Sequence, residues 1–133
     1  MIRKNCEKAG ISSIAVVEEK APECFGGLCT EGAPGREGAR PTHAFIGGTS
    51  GRMWEILDAL RGINPGIRVV INMIALESLS HALEYINQRG IPAEVVSVQI
   101  ARAEAAAGLH LMKGQNPVYV ASFGGDERRD RDG

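Results

Sequence analysis

The stretch Thr42-His43-Ala44-Phe45-Ile46-Gly47-Gly48-Thr49-Ser50-Gly51 decides the fold. Its first half is a short apolar run that reads as a strand, and Gly47-Gly48 ends it. Thr49 or Ser50 stands where a helix cap belongs, because Met53, Ile56, Leu57 and Leu60 then recur at the spacing of one helical face. Gly62 is the expected stop and Asn64-Pro65-Gly66 the turn beyond it. Arg68 to Ile71 reads as a buried strand. Leu76, Leu79, Leu83 and Ile86 then stripe a second helix, with Arg89 in its last turn and Gly90 as its terminating glycine. Strand, helix, strand, helix in this order predicts an α/β layered fold with a mostly parallel sheet.

Upstream, residues 1–10 read as a helix end with Gly10 at the left-handed position after Lys8. Ser13 to Val17 is a β-branched run expected to form a strand. Residues 22–41 hold five Gly and three Pro and read as a long exposed loop, a flexible insertion rather than a lid. Downstream, a single strand is expected from Ala93 to about Arg102, with Glu94, Val96, Val98 and Ile100 on one face. Ala103 to Gly114 reads as a short helix or a crossing loop, and Pro117 to Ser122 as the last strand. No clear crossover helix separates the last two strands, so they are expected to be antiparallel neighbours. The organised domain is read as 1–123. Residues 124–133 alternate Asp, Glu and Arg without a hydrophobe and are expected to be disordered.

The chain has 133 residues, enough for one domain with a real core. Hydrophobic residues make up 44% and charged residues 23%, a globular profile. Fifteen basic residues face sixteen acidic ones, so nothing electrostatic attracts nucleic acid or an anionic membrane. The run Ile67 to Ala75 is broken by Arg68 and Asn72, far short of the roughly 20 apolar residues of a membrane span. The first residues lack the apolar stretch of a secretory signal, so a cytoplasmic protein is expected. Cys24 and Cys29 read as reduced thiols, with a disulfide between them the alternative. His43, His81 and His110 form no ligand motif, so no metal is expected.

In open α/β sheets ligands bind beyond the carboxyl ends of the strands. Gly47, Gly48, Thr49, Ser50 and Gly51 occupy such a position ahead of a helix, where glycines let a ligand reach the backbone. A tight turn that needs small residues explains them equally well. The loop is neither a P-loop nor a dinucleotide fingerprint. Asn72 ends the next strand, and Asn116-Pro117 enters the last one. Arg102 and Lys113 suit the carboxylates of an acidic substrate, or are solvated surface charges.

Taken in order, Phe45 to Gly51, Val69-Val70-Ile71-Asn72, Leu76-Glu77-Ser78-Leu79, Ile100-Ala101-Arg102 and Asn116-Pro117-Val118 resemble the decarboxylating precorrin methyltransferases of cobalamin synthesis. The resemblance runs from about residue 2 to residue 122. It implies a Rossmann-like fold dependent on S-adenosyl-L-methionine, usually a homotetramer. It also implies methylation at carbon 15 of a precorrin-type tetrapyrrole with loss of the carbon-12 acetate carboxyl. Gly47, Gly48 and Ala21 would then flank the cofactor, because Val16 to Pro22 resembles the segment beside the adenine. Thr49, Ser50, Gly51, Asn72, Asn116 and Arg102 would face the substrate. No catalytic residue is assigned. The family's first two strands, with their glycine-rich cofactor loop and ribose-binding acid, have no counterpart here. On the order of 50–60 residues are lacking at about 30 per βα unit. The expectation is a C-terminal portion of the fold, a truncated fragment or one half of a split enzyme, with a bare edge on the strand at Ala44 to Ile46. The rival expectation is a non-catalytic α/β module for oligomerisation or interaction.

Overall fold

The computed structural model describes residues 1–27 and 40–125. Among the described residues there are three α-helices, α1 (Ile2–Ala9), α2 (Met53–Ile63) and α3 (Leu76–Gln88), and six strands. The six strands are β1 (His43–Ile46), β2 (Arg68–Met73), β3 (Ala93–Val98), β4 (Ala101–Ala106), β5 (Leu109–Gly114) and β6 (Val118–Phe123). Four of them make the central sheet in the order β1-β2-β6-β3. β1 and β2 pair in parallel across α2, and β6 lies antiparallel between β2 and β3. The expected α/β layering holds, as does the antiparallel pairing of the last strand with the one read from Ala93, but the sheet is not mostly parallel: β1–β2 is its one parallel pair, because β6 inserts between β2 and β3.

Helix ends follow local chemistry. At Gly10 and Gly90, with φ of 64° and 59°, the chain turns left-handed. The N–H groups of Ile11 and Ile91 then reach back to the carbonyls of Cys6 and Ile86 at 2.9 and 3.0 Å. The start of α2 differs from expectation. Neither Thr49 nor Ser50 caps it; its N-cap is Arg52, with no side-chain cap bond. Ser50 and Gly51 take φ of 48° and 82°, and the turn closes when the Arg52 N–H donates to the Thr49 carbonyl at 2.9 Å. This turn defers the helix to Met53 and carries it past Gly62 to Ile63.

The core lies between one face of the sheet and helices α2 and α3. Val69, Ile71 and Met73 of β2 and Ala121 and Phe123 of β6 meet Met53, Ile56, Leu57 and Leu60 of α2 and Ala82, Tyr85 and Ile86 of α3. Alternation along the strands sends Val70, Asn72, Val96, Val98, Val120 and Phe45 to the opposite face. No described helix covers that face, and Phe45 stays 72% exposed on it.

Tyr85 ties the two helices together. Its ring is fully buried, edge-on to Trp54 at 5.6 Å, and its hydroxyl donates to Asp58 Oδ1 at 2.9 Å. The Arg89 guanidinium lies 3.9 Å over the same ring and donates to both Asp58 oxygens at 2.9 Å. Burial pushes the Tyr85 phenol above its ordinary pKa. Tyr85→Phe keeps the packing and loses one hydrogen bond, so urea unfolding is expected to show a loss of about 1 kcal/mol.

Several expectations need correction. Ser13 to Val17 forms no strand, because no strand among the described residues offers it a ladder; Ile14 and Val17 remain about half exposed. The strand from Ala93 stops at Val98, and β4 leaves the sheet to pair with β5. The helix or crossing loop expected at Ala103 to Gly114 is thus a two-stranded hairpin. Ala107 and Gly108 turn it with φ of 50° and 77°, and the Gln115 N–H closes its base on the Ile100 carbonyl at 2.8 Å. The outer edge of β1 carries no strand among the described residues. Of the long loop, Glu23–Gly27 is a 3₁₀ turn and residues 28–39 lie outside the described residues, Cys29 among them. Gly124 and Gly125 are placed against Ile67 and Arg68, and residues 126–133 lie outside the description.

Candidate functional site

A cavity of about 140 Å³ opens at the carboxyl ends of β1 and β2, the position that physics assigns to ligands in such sheets. Gly47, Gly48 and Thr49 form one wall, and Asn72 with Ile71, Met73 and Ile74 another; Met53 and Ser78 come from the two helices. The wall is backbone where it needs to be open. A Cβ at Gly48 would meet nothing within 4 Å, and one at Gly47 would touch only the Phe45 side chain at 3.9 Å. No charged side chain lines the cavity.

The structure thus brings together Gly47, Gly48, Thr49 and Asn72 from the residues singled out above. Ser50 does not line the cavity, and Gly51 lines a separate depression with Arg52, Trp54, Glu55, His81 and Glu84. Ala21 packs, half-buried, against the core beside Phe25. Asn116 lies exposed between β5 and β6. Arg102 lies exposed on the hairpin, paired in register with Lys113, which reaches Glu104 at 3.4 Å. Neither Arg102 nor Asn116 lines the cavity. Ser78 and Ile74 do, and the sequence reading assigns neither of them to a site. Their signal was position, the first turn of α3 and the residue leaving β2 at its carboxyl end.

Two local features bear on chemistry. The Oδ1 of Asn72 is buried with no hydrogen-bond partner among the described residues. An unsatisfied buried acceptor costs about 1–3 kcal/mol and is rare in folded proteins. Beside the cavity loop, Arg52 binds Glu23 at 2.7 Å and Glu55 at 2.6 Å. The two partners, Glu55 first, hold the guanidinium above its ordinary pKa. Glu23's own backbone N–H, then Arg52, holds its carboxyl below the usual 4.5. Among the described residues no cluster of His, Cys, Asp or Glu can hold a metal ion, and no helix is long and apolar enough to cross a membrane.

The chain is 31% identical over 121 residues to the probable cobalt-precorrin-6B C(15)-methyltransferase (decarboxylating) of Sulfurisphaera tokodaii, covering 90% of this chain and 58% of that protein. The cobalt-precorrin-6B C(15)-methyltransferase (decarboxylating) of Salmonella typhimurium is 30% identical over 90 residues, covering 66% of this chain and 47% of the relative. Among solved structures, precorrin-6y C5,15-methyltransferase of Geobacter metallireducens superposes with a TM-score of 0.75 at 28% identity, over 92% of this chain and 60% of the other. The precorrin 8W decarboxylase of Methanobacterium thermoautotrophicum gives 0.73 at 25% identity, over 92% and 61%. The chain therefore spans about half to three fifths of the proteins it matches, and its fold is that of their Rossmann-like methyltransferase domain. The family model for the precorrin methyltransferase domain matches residues 1–123, and the chain belongs to that family.

Proposed function

We propose that the chain works as part of a decarboxylating precorrin C(15)-methyltransferase of cobalamin biosynthesis, in the cytoplasm. S-adenosyl-L-methionine is the methyl donor and a precorrin-type tetrapyrrole the acceptor. The observation that carries this reading is the cavity at the carboxyl ends of β1 and β2, with Gly47 and Gly48 exposing backbone and Asn72 contributing to its wall.

The residues present fit one flank of the cofactor. At about 140 Å³ the cavity falls below the roughly 300–1,000 Å³ of a whole ligand pocket, so it accommodates only part of the cofactor. No carboxylate in its wall is available for a ribose. Gly47 and Gly48 offer main-chain contact to the bound group, while Met53, Ile71 and Met73 supply a dry floor. The cofactor, when bound, supplies an electrophilic methyl group. Holding an electron-rich ring carbon in line with it is a matter of positioning, which accounts for a large share of such a barrier. Isothermal titration with S-adenosylhomocysteine tests the reading. Heat of binding that disappears when Gly48 is made bulky supports it; no binding at millimolar ligand overturns it for this chain.

A homo-oligomer, a tetramer by family resemblance, belongs to the same reading. The β4–β5 hairpin is exposed throughout, with Leu109, Leu111 and Met112 at 63%, 54% and 68% exposure. A lone two-stranded hairpin is marginally stable in water, and its free edges invite pairing with another copy. Leu111→Lys is expected to lower the sedimenting mass without changing the circular dichroism. A wild-type chain that sediments as a monomer overturns the idea.

A further inference from the structure

Arg52 stands between the cavity loop and the segment around Ala21, which the family resemblance sets beside the cofactor. Its main chain belongs to the cavity loop: its N–H closes the turn on Thr49 at 2.9 Å, and its carbonyl accepts the Ile56 N–H at 3.1 Å. Its side chain faces the other segment. Nη1 reaches Glu23 Oε1 at 2.7 Å, while Nη2 and Nε hold Glu55 Oε2 at 2.6 and 3.1 Å. Glu55 lies on the first turn of α2, so it orients the guanidinium from a rigid element and leaves Nη1 free for Glu23.

Glu23 opens the 3₁₀ turn Glu23–Gly27, and that turn has few other anchors. Ala21 and Phe25 rest against the core through apolar contact. The Arg3–Glu18 pair lies wholly within the N-terminal segment. Helix α1 buries nothing. Among the described residues, Arg52–Glu23 is the one ion pair that joins residues 1–27 to residues 40–125. Apolar contact fixes how deep the turn sits, but it is non-directional. The charge-assisted bonds supply the direction.

We propose that Arg52 is a positioning residue: it clamps the turn that follows Ala21 to the Gly47–Gly51 loop, so that the two flanks of the cofactor cradle keep one spacing. The proposal rests on the cofactor reading above and adds to it a residue that itself touches no ligand.

A double-mutant cycle tests it, with S-adenosylhomocysteine titrated calorimetrically into wild type, Arg52→Gln, Glu23→Gln and the double variant, well below the unfolding temperature. Each single change is expected to weaken binding about fivefold, and the double no more than Arg52→Gln alone, because one contact is lost either way. Arg52→Lys is expected to recover part of the loss. Hydrogen exchange at the Cys24 and Phe25 amides, bonded to the Lys20 and Pro22 carbonyls at 3.1 and 2.9 Å, is expected to quicken in both single variants. Unchanged affinity in the single variants, or losses that add in the double, overturns the clamp and leaves the cofactor reading standing. A wild type that binds no S-adenosylhomocysteine overturns that reading and the clamp with it.

Discussion

Gly124→Ala is expected to lower stability by about 3 kcal/mol, or roughly 10 °C in Tm for a chain of this size, measured by thermal unfolding. Two costs combine. Gly124 takes a φ of 77°, where any L side chain costs roughly 1–2 kcal/mol. Its added Cβ would also collide with the carbonyl oxygen of Ile67, a main-chain atom at the mouth of β2 that cannot move without disturbing the Ile67 side chain, which is 1% exposed. The Gly124 carbonyl accepts a bond from Arg68 Nη1 at 3.0 Å, so any shift there loosens a second contact. Gly125→Ala is the control. It has a similar φ of 82°, but its Cβ would meet only the Arg68 side chain, at 3.3 Å, which can swing away. A loss of about 1 kcal/mol is expected there. Equal losses at the two positions would refute the main-chain collision.

Gly48→Leu is expected to leave Tm within about 2 °C of wild type and to weaken S-adenosylhomocysteine binding more than about a hundredfold, or roughly 3 kcal/mol. The two readouts separate because the position lines the cavity and yet has no neighbour within 4 Å of a Cβ. A side chain there finds space now empty of protein, and it takes that space from the ligand. Wild-type affinity in Gly48→Leu would mean that the cavity is not where the cofactor lies. A large loss of Tm would mean that the loop needs Gly48 for its own shape, the tight-turn explanation.

Much of the fold is legible in the sequence, and for local reasons. Met53, Ile56, Leu57 and Leu60 announce α2 by spacing, and all four are buried. Gly10 and Gly90 announce helix ends because the left-handed turn there suits glycine. The start of α2 was less legible. Thr49 and Ser50 have cap chemistry, yet the positive φ at Ser50 and Gly51 inserts a turn first, and an isolated Ser does not signal that conformation. The hairpin was not legible because its turn is Ala107-Gly108 rather than Asn-Gly, and because the Ala-rich β4 has helix-forming composition. Its strand state comes from pairing with β5.

The candidate site divides in the same way. Gly47, Gly48 and Asn72 could be chosen from sequence, because glycines and polar residues that close an apolar strand ahead of a helix mark the carboxyl edge of an α/β sheet. Ser78 and Ile74 join them only because β1 and β2 pair in parallel with Ile46 beside Ile71, which brings two chain crossovers to one edge. The Arg52–Glu23 pair spans 29 positions of chain and carries no local signal at all.

By itself, then, the sequence determined the α/β class, the helices α2 and α3 and the strands that carry the core, and it marked the glycine loop as a candidate place for a ligand. Each of these rests on periodicity or backbone preference, which act over a few neighbouring residues. Only the tertiary structure decided that Ser13 to Val17 is no strand, that β4 and β5 leave the sheet as an arm, that one sheet face has no helix over it among the described residues and leaves Phe45 exposed, and that Gly124 belongs to the packed body. Those outcomes depend on whether a strand finds a partner or a surface finds a cover, and such partners lie far along the chain, where local pattern carries no information.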